Sequence, residues 1–290
     1  MRIRLTILVA ALVTLCHFAS AEELDPQAPK RQAPKQWLDT FPKHVGFTWG
    51  ANADLMSTYM WRGQYVGALS FQAGGNVGYG GAFINFWWNV GATSWKFNGL
   101  CPEMDSSIGF SRWGFFVLFM HMYYFDTYAD GTPTKFFDFK NYDPGGGGVT
   151  TELRFGYKVS SKIPLNILWC TRFWGRDGYR NAAGELKRAY STYIQLGYDF
   201  NLPYEMVLET HVGFTPWKSC YTGFDGDFAV TCIDVLLRRD WKLTDYCSLR
   251  VQTQLMFNPW RVDKENIKWN CASPWEQRLN LNVGVGVYFN

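Results

Sequence analysis

The sequence predicts an all-β fold: one closed antiparallel transmembrane β-barrel of about twelve strands. Three observations carry that reading. The final stretch, 279–290, reads L-N-L-N-V-G-V-G-V-Y-F-N, with Leu279, Leu281, Val283, Val285, Val287 and Phe289 alternating against Asn280, Asn282, Gly284, Gly286, Tyr288 and Asn290. A period of two puts every apolar side chain on one face of an extended strand, and the length suits a tilted membrane-spanning strand. Segments of similar length and alternation recur along the chain, and the links between them alternate between short and long. A soluble sandwich, the competing all-β reading, has no reason to alternate its loops.

The chain begins with a leader. Arg2 and Arg4 precede an apolar run, and Ala19-Ser20-Ala21 supplies a small-residue cleavage site, so 1–21 reads as a signal peptide. Residues 22–43, punctuated by Pro26, Pro29, Pro34 and Pro42, read as a Pro-rich flexible periplasmic lead-in. The barrel then occupies 44–290. The chain carries 28 basic residues, two of them in the leader, against 25 acidic ones. That near-balance gives no reason to expect a nucleic-acid partner. Aromatic residues make up 18% of the chain and charged residues only 18%, which suits a lipid-facing wall with aromatic girdles, and also a Trp-rich sugar-binding sandwich.

The first segment, 46–62, sets Asn52, Asp54, Thr58 and Arg62 against Phe47, Trp49, Leu55, Tyr59 and Trp61. Segments 67–79 and 82–94 follow around a Gly80-Gly81 turn, with Gln72, Asn76, Asn85 and Asn89 on their polar faces. Segment 103–112 opposes Glu103, Asp105 and Ser107 to Met104, Ile108 and Phe110, whereas 114–126 is apolar on both faces around His121. In the second half, 149–159 carries Glu152, Arg154 and Lys158, 165–174 carries Asn166 and Arg172, and 189–200 carries Gln195 and Asp199. Segment 204–217 carries Glu205, Glu209 and His211, 228–239 carries Asp234 and Arg238, and 248–258 carries Arg250, Gln252 and Gln254. Each polar set faces a row of Leu, Ile, Val, Phe, Tyr or Trp. Links at 80–81, 112–114, 160–164, 201–203 and 240–247 are short. Those at 95–102, 127–148, 175–188, 218–227 and 259–278 are long, with 63–66 as the exception. Short turns and both termini belong on the periplasmic side.

The spaced Ser57-x-Tyr59-x-Trp61-Arg62-Gly63, followed by Ser70-x-Gln72-x-Gly74, resembles the opening strands of the TorF-family porins. Tyr190-Ser191-Thr192-Tyr193, Gly213-Phe214-Thr215-Pro216-Trp217 and Asn258-Pro259 are similar to relatives from gut Bacteroidetes. The resemblance implies a barrel in the outer membrane of a Gram-negative bacterium with a pore role. It supplies no catalytic residues and no solute.

On this register the lumen is lined by the acids Asp54, Glu103, Asp105, Glu152, Asp199, Glu205, Glu209 and Asp234. The bases are Arg62, Arg154, Lys158, Arg172, Arg238 and Arg250, with His211 beside them. A strongly selective channel lines its constriction with one sign of charge. A mixed set suits cross-strand ion pairs that hold a narrow interior together, or a weakly selective path for small polar solutes. The alternative is a non-conducting barrel that binds a ligand or partner through its outer loops.

Outer-membrane lipids are the expected surroundings, and no cofactor or metal site is expected. The mature cysteines Cys101, Cys170, Cys220, Cys232, Cys247 and Cys271 form neither a CxxC pair nor a zinc-like cluster, and their disulfide pairing stays open. An enzyme is not expected. A lipid hydrolase needs a histidine beside a serine where lipid can reach it, and the alternation turns His121 and His211 inward, with no G-x-S-x-G elbow. Trp61, Trp88, Trp95, Trp113, Tyr198 and Phe289 fall near strand ends, where a girdle belongs. Trp217, Trp260, Trp269 and Trp275 sit in or beside outer loops, where they form part of the girdle or stack sugars.

Overall fold

The computed structural model describes residues 46–93, 99–128, 130–143, 147–160, 163–260 and 279–289. The leader and lead-in, and with them Cys271, Trp95, Trp269 and Trp275, lie outside the described residues. The strands are β1 (Phe47–Met56), β2 (Tyr59–Trp61), β3 (Gln64–Gly67), β4 (Ser70–Tyr79), β5 (Ala82–Gly91), β6 (Glu103–Arg112), β7 (Phe115–Tyr124), β8 (Val149–Lys158), β9 (Leu165–Gly175), β10 (Gly178–Arg180), β11 (Leu186–Arg188), β12 (Thr192–Asn201), β13 (Met206–Thr215), β14 (Ala229–Lys242), β15 (Cys247–Phe257) and β16 (Leu279–Phe289). Among the described residues, one 3₁₀ turn, η1, spans Cys220–Thr222.

Twelve of these strands close into one barrel, in the order β1-β16-β15-β14-β13-β12-β9-β8-β7-β6-β5-β4. Every neighbouring pair is antiparallel, and β16 returns to β1 in the register Ala51↔Phe289 to Met56↔Gly284. Closure leaves no open edge, so every strand spends its backbone N–H and C=O groups on neighbours. The seam between β1 and β16 explains the tiny residues of the last strand. A Cβ on Gly286 would lie 1.9 Å from Asp54 Oδ1, and one on Gly284 would lie 2.3 Å from Met56 Sδ. The larger inward side chains of β1 therefore rest on the glycines of β16.

The alternation sorts the two faces as expected. Phe86 and Trp88 on β5 are 58% and 55% exposed, and Asn89 between Trp88 and Val90 is 1% exposed. The apolar β7 has a simple explanation: its inward residues Phe116, Leu118, Met120 and Met122 pack with Phe83 into an apolar cluster inside the lumen. Its polar member lies on the other face. His121 pairs in register with the outward Ser106, and its ring packs against Phe136 at 4.5 Å and Phe139 at 5.4 Å. The inward placement of His121 is thus corrected: strand phase, not polarity, decides its direction.

The largest departure concerns the first segment. Instead of running to residue 62, the wall strand β1 stops at Met56, and β4 begins at Ser70 directly beside it, in register from Phe47↔Tyr79 to Met56↔Ser70. The intervening β2 and β3 form a separate two-stranded hairpin. Side chains take over wall bonding where the chain leaves. Val283 N donates to Ser57 Oγ at 2.8 Å, Thr58 N donates to Asn282 Oδ1 at 3.2 Å, and Thr58 Oγ1 donates to the Leu281 carbonyl at 2.9 Å.

Candidate functional site

The hairpin formed by β2 and β3 turns through Arg62 and Gly63, with φ of 49° and 86°. Positive φ at both central residues is the type I′ geometry that suits a two-residue hairpin. It places a non-glycine residue, Arg62, in a sparsely populated region that persists only where its surroundings hold it. They do. Arg62 Nη1 donates to Glu152 Oε1 at 2.8 Å and Nη2 donates to Oε2 at 2.9 Å, a two-pronged guanidinium–carboxylate pair. Arg62 Nη1 also donates to the Tyr221 hydroxyl. The guanidinium lies 4.4 Å from the Trp61 ring centre and 5.0 Å from that of Tyr193, so aromatic faces supply further stabilisation in a dry setting. Gly63 is gripped from another direction, since Asn258 Nδ2 donates to its carbonyl at 3.1 Å.

These partners place the hairpin. It leaves the wall between β1 and β4, and its tip touches β8 through Glu152, β12 through Tyr193 and the end of β15 through Asn258. It crosses the lumen to the opposite wall at the end where the long loops lie. The loop after β13 descends from above through η1, whose Tyr221 is 1% exposed and rests 5.7 Å from the Trp61 ring and 5.4 Å from that of Tyr193. Gln195, Cys170 and Asp234 line the wall below.

Glu152 is the centre of this layer, with its side chain 0% exposed. Three arginines share it. Arg62 holds both oxygens, Arg154 Nε donates to Oε2 at 2.9 Å, and Arg172 Nε stands 3.5 Å from Oε1 without making a hydrogen bond there. One buried carboxylate among three buried guanidiniums leaves an excess of positive charge, and Arg172 is the least tightly held. On the facing wall Glu103 accepts from the Tyr59 hydroxyl at 2.8 Å, and Asp105 Oδ1 is buried without a hydrogen-bond partner.

A second charged layer lies nearer the short turns. Arg238 bonds Glu209 at 2.6 Å and Asp240 at 2.5 Å, and Arg250 bonds Asp240 at 2.6 Å. Arg250 also covers the Tyr288 ring at 4.0 Å, and the Tyr288 hydroxyl donates to Asp54 at 2.6 Å. Lys158 pairs with Asp199 at 3.2 Å, while Asp234 joins His211 Nδ1 at 2.6 Å and Gln254 at 3.0 Å. Buried charges this densely paired hold strands together, because an unpaired one costs several kcal/mol in such a setting.

Of the residues expected in the lumen, Asp54, Glu103, Asp105, Glu152, Arg154, Lys158, Arg172, Asp199, Glu209, His211, Asp234, Arg238 and Arg250 lie on inward strand positions. Arg62 also lies inside, but on the hairpin instead of the end of β1. Glu205 is corrected: it sits at φ 59° in the turn before β13, and β13 begins at Met206. Trp61 is corrected as well, since it belongs to the lumen and not to a girdle. The alternation places Asp240 in the 240–247 link, whereas β14 runs on to Lys242 and Asp240 continues its even-numbered face past Arg238. Tyr193 and Tyr221 were missed because an aromatic residue carries no sign of which face it takes. The five described cysteines, Cys101, Cys170, Cys220, Cys232 and Cys247, form no disulfide with one another. Among the described residues, no group of three or more His, Cys, Asp or Glu side chains could hold a metal ion.

The fold and this interior define a closed twelve-stranded antiparallel barrel with an internal charged layer spanned by a hairpin. No family model matches the chain, and no curated protein does. Among solved structures, the chain is similar to the NanC porin at 7% identity and a TM-score of 0.45, covering 84% of this chain and 100% of that one. It is also similar to the KdgM porin at 8% identity and a TM-score of 0.41, covering 83% and 98% of the two chains. An outer membrane channel from Pseudomonas putida F1 aligns at 11% identity and a TM-score of 0.42, covering 92% and 99%. At such scores the likeness carries no argument about function, and barrel closure rests on the strand pairing itself.

Proposed function

We propose that this protein is an outer-membrane channel of a Gram-negative bacterium, giving small polar solutes a weakly selective path, and that the inner hairpin closes its lumen in the state described. The observation that carries this reading is that the wall is complete without the hairpin. The β1–β4 pairing closes the cylinder, and the element blocking it is fastened by side chains and by the chain at its two ends. A barrel needing a solid interior only for stability has no use for a separable insert.

Membrane placement is supported by the outer face. Exposed Trp49, Phe71, Phe86, Ile108, Leu153, Trp169, Leu196, Val212, Ile233, Leu255 and Val285 encircle the wall, an apolar belt far beyond the scattered patches of water-soluble monomers. Most wall strands run 10 or 11 residues, the span a tilted strand needs. With short turns in the periplasm, the hairpin and long loops face outward.

Conductance in planar bilayers tests the proposal. The wild-type protein should be mostly silent, with brief openings. Replacing 58–69 by a short turn should give steady openings in protein that still shifts mobility on heating in a detergent gel. Persistent silence of that folded deletion protein would defeat the channel reading in favour of the non-conducting barrel that binds through its loops.

A further inference from the structure

Outside the hairpin, at the long-loop end, lies a cavity of about 190 Å³ lined by Tyr59, Trp61, Tyr124, Glu103, Arg172 and Arg176, among others. Its rim includes Leu100 and Phe125, which are 67% and 48% exposed, so it opens toward the side of the long loops. Its walls are mainly apolar, with the rings of Tyr59, Trp61, Tyr65, Tyr124 and Phe125 among them. Its charged groups differ in how firmly they are engaged. Glu103 is held by the Tyr59 hydroxyl, and Asp126 lies 3.9 Å from Arg176, whose Nη1 also donates to the Gly147 carbonyl. Arg172 is 5% exposed, and its Nε makes no hydrogen bond, because Glu152 is already filled by Arg62 and Arg154. Arg172 thus brings to the cavity wall a buried positive charge that Glu152, shared with Arg62 and Arg154, compensates only in part, and an anion seated beside it supplies the rest.

We infer that this cavity binds a small organic anion, a carboxylate carried on a flat apolar body, with Arg172 taking the carboxylate and Tyr59, Trp61 and Tyr124 enclosing the ring. Planar guanidinium matches carboxylate geometry, which an ammonium would not exploit as well. Aromatic walls accept a ring by stacking or edge contact. A neutral ring compound leaves the charge of Arg172 under-compensated, and a ring carrying a cation meets it with like sign. The inference names the solute class of the proposed channel and rests on that reading only for its biological meaning, since binding is measurable without conduction.

The test uses the full-length protein folded in detergent and three probes of one shape: benzoate, benzyl alcohol and benzylamine. Quenching of tryptophan fluorescence and calorimetry should show saturable benzoate binding, with the alcohol and the amine weaker by at least about tenfold. Arg172→Gln should lose benzoate affinity by about the same factor while keeping heat-shifted gel mobility, and Lys242→Gln, an exposed change near a short turn, should not.

A second measurement needs no variant. Cys101 borders the cavity, so benzoate should slow its alkylation in the wild-type protein, and benzylamine should not. Equal affinity for the three probes, or unaltered alkylation at saturating benzoate, would overturn the inference. Benzoate binding by the intact protein, together with a deletion protein that never conducts, would leave this site standing and remove the channel. Conduction without benzoate binding would do the reverse.

Discussion

Arg62 and Glu152, 90 residues apart in sequence, meet across the lumen through two hydrogen bonds of 2.8 and 2.9 Å. One belongs to the insert and the other to the wall, so this pair fastens the hairpin to the strand it reaches. Because both side chains are almost fully buried, the pair is worth far more intact than half broken.

Removing either partner strands a buried charge, which typically costs about 3–5 kcal/mol. The two halves are not equivalent. Arg62→Ala leaves Glu152 with Arg154 and Arg172, whereas Glu152→Ala leaves three guanidiniums facing one another. Glu152→Ala should therefore lower the denaturant midpoint in a detergent-based unfolding titration more than Arg62→Ala does. Equal losses would mean that Arg154 and Arg172 do not depend on Glu152.

Gly63 offers a way to displace the hairpin without touching a charge. A Cβ there would lie 1.8 Å from the Thr231 carbonyl oxygen at a φ of 86°. The backbone cost alone is of order 1–3 kcal/mol for a non-glycine residue held in a sparsely populated conformation. Gly63→Ala should shift Trp61 emission toward that of water-exposed indole and raise open probability in bilayers, with the gel shift preserved. An unshifted emission spectrum would show that the tip can retreat from Thr231 without leaving its seat.

Thiol reactivity reports the same motion. Cys170, Cys220 and Cys232 are 1%, 3% and 1% exposed, whereas Cys101 and Cys247 are half-buried. Burial also pushes the Cys220 thiol up to about 11, which suppresses its thiolate at neutral pH. A maleimide probe should label Cys101 and Cys247 quickly in the folded protein and the other three slowly. Arg62→Ala should speed labelling of Cys170 and Cys220 in particular, as read by mass spectrometry of the digested protein.

Asp177, in the loop after β9, is buried, accepts from Ser191 N at 2.9 Å, and has its carboxyl raised to about 6 by burial, despite the opposing pull of Arg172 and Arg188. Below the unfolded value of 3.8 both states hold the proton. Between 3.8 and about 6 the unfolded loop ionises first, so loop stability falls as pH rises and levels off above the folded value. Hydrogen exchange across 176–191, corrected for intrinsic rates, should show protection declining through that window. Asp177→Asn should flatten the profile.

Much of the barrel was legible because a period of two is enough to assign faces once strand phase is right. Leu279 to Phe289 and Glu152, Arg154 and Lys158 fell where alternation put them. The hairpin was hidden because Thr58, Tyr59, Trp61 and Arg62 continue the alternation of β1 without a break, so a chain leaving the wall reads like one extending it. The bonds that divert it come from Asn282, far away in sequence. His121 shows the complementary error, in which a polar side chain faces outward beneath the aromatic residues of a long loop that alternation says nothing about.

The direct zipping of β1 to β4 makes the segment between Ser57 and Leu69 an exchangeable cassette. Its residues can be lengthened, recharged or lost while the cylinder keeps its circumference and rungs. The circumference and the rungs of the cylinder are therefore set outside the cassette, while the buried Arg62–Glu152 pair ties the cassette's own sequence to the stability of the whole.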